Sequence, residues 1–252
     1  MQKSIIESGL CCAAVVMQRE DPVPQAPANL SIHEKLLFDR HFQERYELEN
    51  QAFGNLTPKQ VFGDVPTRYC TSAGLNSRET VNFVNEFKPD LAFIFGTDII
   101  KGELLDILPE DKINLHLGLS PWYRGSATLF WPFYFLQPQY AGVTFHRITQ
   151  KTDAGDMIHQ CVPDLIAGDG IHDVGVRSIK VAHRDLSKLM KLYATKGAFS
   201  YFKQTSTGKL FLTTDFHASH LRVIYDLYQN KIVDEFLVGN LRCKYPEIIS
   251  AI

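Results

Sequence analysis

The apolar and polar positions of the chain alternate between two periods, and the switches between them predict a series of strands and helices. Residues 10–17 form an apolar run of strand length. Residues 3–8 before it read as the tail of a helix closed at Gly9, and the Pro-rich stretch 21–28 after it reads as loop. Ser31-Ile-His-Glu34 has the spacing of a capping box, and Leu36, Leu37, Phe42, Tyr46 and Phe53 follow as the apolar positions of a helix that stops at Gly54. Its many charges read as a solvated face. Asn76-Ser77 opens another helix, with Val81, Val84 and Phe87 at helical spacing and Pro89 at its end. Asp90-Leu-Ala-Phe-Ile-Phe-Gly96 is continuously apolar between turn residues, which predicts a strand buried on both faces. A short helix over 102–108 is stopped by Pro109. The aromatic segment 127–136 predicts a core helix. Residues 142–149 alternate as a strand, with 156–162 as its antiparallel partner. A long helix over 174–203, a strand over 209–213 and a helix over 218–229 complete the series. Strands alternating with helices predict an α/β fold, a Rossmann-like, mostly parallel sheet covered by helices. The expected division is a main domain over 1–203 and a small C-terminal appendage over 204–252.

One strand breaks the pattern in a way that matters. In Ile113-Asn-Leu-His-Leu-Gly-Leu-Ser-Pro-Trp-Tyr-Arg-Gly125, the apolar Ile113, Leu115 and Leu117 face one side, and Asn114, His116 and Gly118 the other. Ser120-Pro121 then cuts the strand off. An amide and an imidazole at the end of a buried strand need hydrogen-bond partners. In open α/β sheets ligands sit outside the carboxyl ends of the strands, so a substrate is one candidate partner, and neighbouring backbone is the other. Asp153, in the turn Asp153-Ala-Gly155, is an Asx-type cap on one reading. Beside His116, it would fix the ring's tautomer and raise its basicity. Asn114 and His116 together suit a developing oxyanion. No Gly-x-Ser-x-Gly elbow and no evident cysteine nucleophile occur, which favours direct attack by a substrate amine over a covalent intermediate.

Composition narrows the classes. Lys and Arg number 26 against 28 Asp and Glu, a formal charge of -2, which gives no electrostatic footprint for nucleic acid. No apolar run approaches membrane-spanning length, and the N-terminus carries no secretory signal. The five cysteines, Cys11, Cys12, Cys70, Cys161 and Cys243, show no Cys-x-x-Cys spacing, and the histidines no His-x-x-x-His. They read as reduced core thiols of a cytoplasmic protein, with no metal expected. The absence of Gly-x-Gly-x-x-Gly argues against a dinucleotide binder.

Asn114-x-His116, the Ser120-Pro121-x-x-Arg124-Gly125 that follows, and Asp153-Ala-Gly155 resemble the signature of the folate-dependent formyltransferases, in order and spacing. Lys88-Pro-Asp-Leu91 and Gly142-Val-Thr-Phe-His146 match the surrounding pattern. The resemblance covers about residues 80–165. It implies a formyltransferase fold and 10-formyltetrahydrofolate as donor, its pterin near Phe95-Gly96-Thr97 and the Asp153 loop. It also implies that His116 takes a proton from the attacking amine, that Asn114 and His116 polarise the formyl carbonyl, and that Asp153 holds His116. Relatives begin with a strand and a glycine-containing loop, whereas this sequence starts inside the helix that follows, which predicts an exposed gap in the sheet. The loop His116-Leu-Gly-Leu-Ser-Pro121 also departs from the His-Pro-Ser-Leu-Leu-Pro of many members. The acceptor implied first is an amino-sugar nucleotide, with Trp122 or Tyr123 either stacking on its base or packing the loop, and Arg124 contacting it. Glycinamide ribotide, an amino-acid-type amine, or a non-catalytic folate-binding relative are the alternatives. The partners are then small molecules, with neither nucleic acid nor membrane, and a homodimer is left open.

Overall fold

The protein is described from a computed structural model, covering residues 9–10, 12–19, 23–54, 56–204, 208–242 and 244–252. The helix tail expected over 3–8 lies outside these residues. In chain order the elements are β1 (Ala14–Met17), α1 (Ile32–Phe53), α2 (Pro58–Phe62), β2 (Thr67–Cys70), α3 (Arg78–Phe87), β3 (Leu91–Phe95), α4 (Glu103–Ile107), β4 (Asp111–His116), β5 (Tyr123–Gly125), α5 (Trp131–Tyr134), β6 (Val143–Arg147), β7 (Met157–Cys161), α6 (Ile171–Lys196), β8 (Lys209–Phe211) and α7 (Ile232–Leu237). Short 3-10 or π turns join several of them.

The local signals act as expected where they are strongest. Ser31 accepts from the Glu34 N–H while Glu34 accepts from the Ser31 N–H, the reciprocal capping box that starts α1. Lys35–Asp39, Arg40–Glu44 and Arg45–Glu49 ladder its outer face at i,i+4 spacing. Ser77 caps α3, whose chain turns out through a left-handed Lys88 before Pro89.

The expected mostly parallel sheet is met in part: β1–β2, β3–β4 and β5–β8 pair in parallel, but the main sheet is mixed. The main sheet runs β3-β4-β6-β7, with β3 parallel to β4 and the other two pairings antiparallel. β6 and β7 form a hairpin closed by the Asp153 turn, and a hairpin is antiparallel by construction, whereas the antiparallel β4–β6 pairing joins strands that are not a hairpin. β1 and β2 pair in parallel as a separate ribbon, and β5 pairs in parallel with β8. No backbone ladder joins the β1–β2 ribbon to β3 among the described residues. Loop contacts bridge them instead: Arg19 donates to the Gly96 carbonyl and pairs with Asp98, which also accepts from Ser72. β3 is not buried on both faces along its length. Ile94 is buried, but Phe95 is 40% exposed, because the strand runs past the cluster that covers Leu91 and Phe93.

Among the described residues a cluster of Cys70, Leu75, Val81 and Leu104 packs β2, α3 and α4 together, and two larger ones hold the main sheet and the C-terminal part. Ile113, Leu115, Val143, Phe145, Ile158 and Cys161 of the main sheet pack against Ala182, Leu186, Leu189 and Met190 of α6. Leu37 and Phe38 of α1 pack with Phe130, Trp131 and Phe133, and with Phe211, Leu221, Ile224, Ile232 and Val233 from the C-terminal part. Helix α6 spans Ile171–Lys196 instead of 174–203, since Gly197 takes a left-handed conformation and its N–H bonds the Tyr193 carbonyl. The aromatic run 127–136 is helical only over Trp131–Tyr134, and Leu136 already has φ +56. The segment 218–229 is a 3-10 turn followed by a π turn, which still buries Leu221, Ile224 and Tyr225. Helices α2 and α7 and strand β2 are too short to show a period in the sequence.

Leu189 is fully buried between α6 and the sheet. Leu189→Ala should therefore lower unfolding free energy by about 2–5 kcal/mol in urea titrations. A loss below about 1 kcal/mol would show that the helix does not pack there as described.

Candidate active site

Strand β4 presents Asn114 and His116 on the face opposite Ile113 and Leu115, as the alternation requires. Its antiparallel neighbour β6 sets His146 across from Asn114 and Thr144 across from His116. The chain then folds back on itself. Thr144 Oγ1 donates to the Gly118 carbonyl and accepts from the Ser120 N–H, and Gln160 Nε2 donates to the Ser120 carbonyl. Gly118 is required by close approach: a Cβ there would sit 2.5 Å from His116 Nε2 and 2.7 Å from the Tyr123 carbonyl oxygen. The Ser120–Pro121 peptide is cis.

Asp153 joins this face from the β6–β7 turn. Its Oδ2 lies 3.4 Å from His116 Nδ1 and accepts from the Gly125 N–H at 2.9 Å. Its Oδ1 lies 3.2 Å from His146 Nε2 and 3.4 Å from Asn114 Nδ2. Asn114, His116 and Asp153 thus come together as the sequence suggested. His146 is an addition. The sequence did place it on a strand, and alternation from Thr144 puts it on the Asn114 side, but nothing in one chain's pattern sets β6 beside β4.

The backbone partners fix the tautomers. His116 Nε2 lies 2.9 Å from the Tyr123 carbonyl and His146 Nδ1 2.9 Å from the Arg147 carbonyl. A carbonyl only accepts, so these nitrogens carry hydrogens, and in the neutral His116 ring the remaining lone pair, on Nδ1, faces Asp153. A proton arriving on His116 Nδ1 therefore lands between ring and carboxylate, where it converts a poor contact into an ion-paired hydrogen bond. Burial pushes the His116 imidazole below its ordinary value, against the opposing pull of Asp153, so it rests neutral. Burial works to raise the Asp153 carboxyl, but the hydrogen bond to His146, the two imidazoles and the Gly125 N–H outweigh it and hold the group down at about 2. The site is a neutral base beside a fixed carboxylate, arranged to take up one proton.

The other sequence candidates surround this centre unevenly. Phe95, Gly96 and Thr97 lie at the end of β3, next to β4, with the Phe95 ring partly exposed. Tyr123 is buried, stacks on Phe211 with ring centroids 5.9 Å apart, and donates to Gln137. Its ring packs the loop. Trp122 is half-buried, edge-on to Tyr140. Arg124 Nη2 donates to the Gly208 carbonyl, while its buried Nε–H has no partner among the described residues.

A second polar cluster, His159, Cys161 and Asp185, brings its ligand-type atoms within 4.8 Å of one another. It is closed as it stands. The Ala251 N–H donates to His159 Nδ1, so Nε2 carries the hydrogen and donates to Asp185, which Arg184 and Lys188 also neutralise. The Cys161 thiol is pushed up to about 12 by burial and by the Asp185 carboxylate. These are the bonds of a tie between β7, α6 and the C-terminal segment, and a cation there would have to displace the backbone N–H.

Comparison with known proteins gives the centre a context. The sequence model of the formyl transferase family matches residues 29–190, more than half of the chain, including all four polar residues of the centre. The bifunctional polymyxin resistance protein ArnA of Wigglesworthia glossinidia brevipalpis is 28% identical over 141 residues, 56% of this chain, and the chain spans only 19% of that relative. The formyltransferase PseJ of Anoxybacillus kamchatkensis, solved with UDP-4,6-dideoxy-4-formamido-L-AltNAc and tetrahydrofolate, aligns at 20% identity with a TM-score of 0.51, over 66% of this chain and 85% of that one. A phosphoribosylglycinamide formyltransferase from Anaplasma phagocytophilum aligns at 21% identity with a TM-score of 0.50, over 67% of this chain and 91% of that one. These two likenesses establish the fold.

Removing the Asp153 charge should move the His116 titration further down, by about one unit or more, since an opposite charge at this distance is what supports the protonated ring. NMR titration of the imidazole resonances in Asp153→Asn measures this, and an unmoved His116 would show that the two groups are not coupled. Because Asp153 is depressed from 3.8 to about 2, its contribution to stability is full at neutral pH and is lost as pH falls through that interval. Acid titration of unfolding free energy should accordingly be flatter across that interval in Asp153→Asn than in the wild type.

Proposed function

The chain belongs to the formyl transferase family, and on that premise we propose that it moves the formyl group of 10-formyltetrahydrofolate to the primary amine of an amino-sugar nucleotide. The observation that carries this reading is the Asp153 carboxylate held between two buried imidazoles, with the free Nδ1 of His116 facing it. That arrangement places an unprotonated base beside a fixed charge. It suits one task, the uptake of a proton from an amine as the amine attacks.

The residues present fit a folate donor. The partly exposed Phe95 ring at the end of β3 offers an apolar face for a flat heterocycle one strand away from His116. Gly96 and Thr97 continue that edge, and Asp153 closes the other side. When bound, the folate supplies an activated formyl carbon. The amine nitrogen bonds to that carbon, the bond from the carbon to the folate nitrogen breaks, and the proton released by the amine passes to His116 Nδ1. Asp153 holds the imidazolium so formed, and the proton is then returned to the departing folate nitrogen. Asn114 is held only by contacts of 3.4 Å, so its amide N–H is free to exchange them for the formyl oxygen as negative charge builds there. His146, which touches both Asn114 and Asp153, keeps the two aligned.

The choice of acceptor is supported by the structure of PseJ, which holds a formamido sugar nucleotide and tetrahydrofolate. In this chain the unpaired Nε–H of Arg124 is a donor suited to an anionic group of the acceptor, and the half-buried Trp122 lies beside it in the loop.

An assay of tetrahydrofolate release with 10-formyltetrahydrofolate and a panel of amino-sugar nucleotides, glycinamide ribotide and amino acids tests the proposal. Turnover is expected on a sugar nucleotide, and His116→Asn should reduce it by about 10²–10⁴-fold with folding preserved. A variant retaining more than about a tenth of the wild-type rate would remove His116 from the mechanism. Arg124→Ala should raise the KM for the acceptor and leave the KM for folate unchanged, and an unmoved acceptor KM would sink its assignment.

A further inference from the structure

We propose that Gln204, which lies beyond the stretch matched by the family, is a positioning residue for Asp153. It clamps the backbone of the β6–β7 turn so that the carboxylate stays between the two imidazoles. This rests on the reading of the site as a proton-accepting formyl-transfer centre.

The turn needs a restraint from outside itself. Asp153 has φ +46, in the left-handed region that is unfavourable for a residue with a Cβ. Gln204 Nε2 donates to the Asp153 carbonyl at 2.9 Å and to the Gly155 carbonyl at 2.8 Å, so one amide group spans the turn. Both partners are carbonyls, which fixes the amide's orientation: its NH2 faces the turn. The consequence is that Oε1 is enclosed with no donor among the described residues. A side chain that merely filled space would not leave a buried acceptor unpaired while directing both donors at two residues of one turn.

The segment that carries Gln204 is anchored on each side. Phe202 exchanges two backbone hydrogen bonds of 2.8 Å with Met157 at the start of β7. Beyond Gln204, Gly208 lies so close to the Pro121 carbonyl that a Cβ there would meet its oxygen at 1.4 Å. Strand β8 then pairs with β5, and it is the Gly125 N–H of β5 that donates to the Asp153 carboxylate. Asp153 is thus fixed twice from the same stretch of chain, through its backbone by Gln204 and through its carboxylate by the strand that β8 holds in place.

Two variants test this in the full chain. Gln204→Met keeps the volume and removes both donors. Gln204→Glu keeps the shape and sets carboxylate oxygens against two carbonyls. The first readout, NMR titration of the His116 imidazole, needs no substrate. In Gln204→Met, His116 should titrate below its wild-type value by about half a unit or more, because the charge that supports its protonated form is less firmly held. Gln204→Glu adds a negative charge that itself favours the protonated ring, so that variant is read by kcat. The second readout is formyl transfer. There kcat should fall about 10- to 100-fold, with KM for donor and acceptor within about twofold of wild type, as expected for misplaced machinery rather than lost binding. A folded Gln204→Met variant with an unmoved His116 titration overturns the proposal, as does a raised KM with unchanged kcat in either variant. Loss of folding in both variants would make Gln204 a structural residue and overturn it as well. A wild type that transfers no formyl group, but whose His116 titration moves in Gln204→Met, would sink the functional reading and leave the role of Gln204 standing.

Discussion

A single buried negative charge organises the functional end of this molecule. The Asp153 side chain is 11% exposed, and a carboxylate taken that far from water costs several kcal/mol unless hydrogen bonds and opposite charge replace the solvent. Here the replacement comes from four directions: His116, His146, Asn114 and the Gly125 N–H. Each contact makes a demand on the fold. The imidazoles must sit on neighbouring antiparallel strands, the Gly125 amide must be aimed by β5, and the Asp153 backbone must accept a left-handed turn. The strands, the loop and the C-terminal part all meet at this charge.

The loop after β4 shows how the demands are met. Thr144 and Gln160 grip residues 118–120 from the sheet, and the returning Tyr123 carbonyl takes the His116 Nε2 hydrogen. Gln160 reaches in two directions, since its Oε1 also accepts from the Ile249 N–H. The last residues of the chain therefore touch the same side chain that steadies the loop beside His116. Phe211, Leu221, Ile224 and Val233 pack into one cluster with residues of α1 and α5.

Histidine environment separates chemistry from architecture in this protein. His41 and His172 share the Tyr225 hydroxyl in an aromatic cluster, and burial lowers both rings so that they stay neutral. His159 has its Nδ1 occupied by a backbone amide and its Nε2 by Asp185. In each case the ring's polar atoms face neighbouring protein groups that close the environment. His116 differs because a backbone carbonyl takes its hydrogen and leaves the other nitrogen as a lone pair beside a carboxylate, a state that a proton improves. Burial alone does not distinguish His116; the vacancy of a nitrogen next to a fixed charge does.

The amino-acid sequence alone determined the elements whose signals are local. The Ser31 capping box, the Ser77 cap, the β6–β7 hairpin and the alternation of Asn114 and His116 on β4 need only neighbours within a few residues, and the linear order of Asn114, His116 and Asp153 already pointed to their chemistry. The tertiary structure decided the rest. The mixed pairing of the sheet, the end of α6 at Gly197 and the π turn of 223–227 depend on packing that no window of sequence contains. His146 joins the site because β6 lies beside β4, and Gln204 because a segment some fifty residues beyond Asp153 crosses its turn. Such partners are separated along the chain and meet only when hydrophobic clusters and strand register fix their distance, so periodicity carries no trace of them.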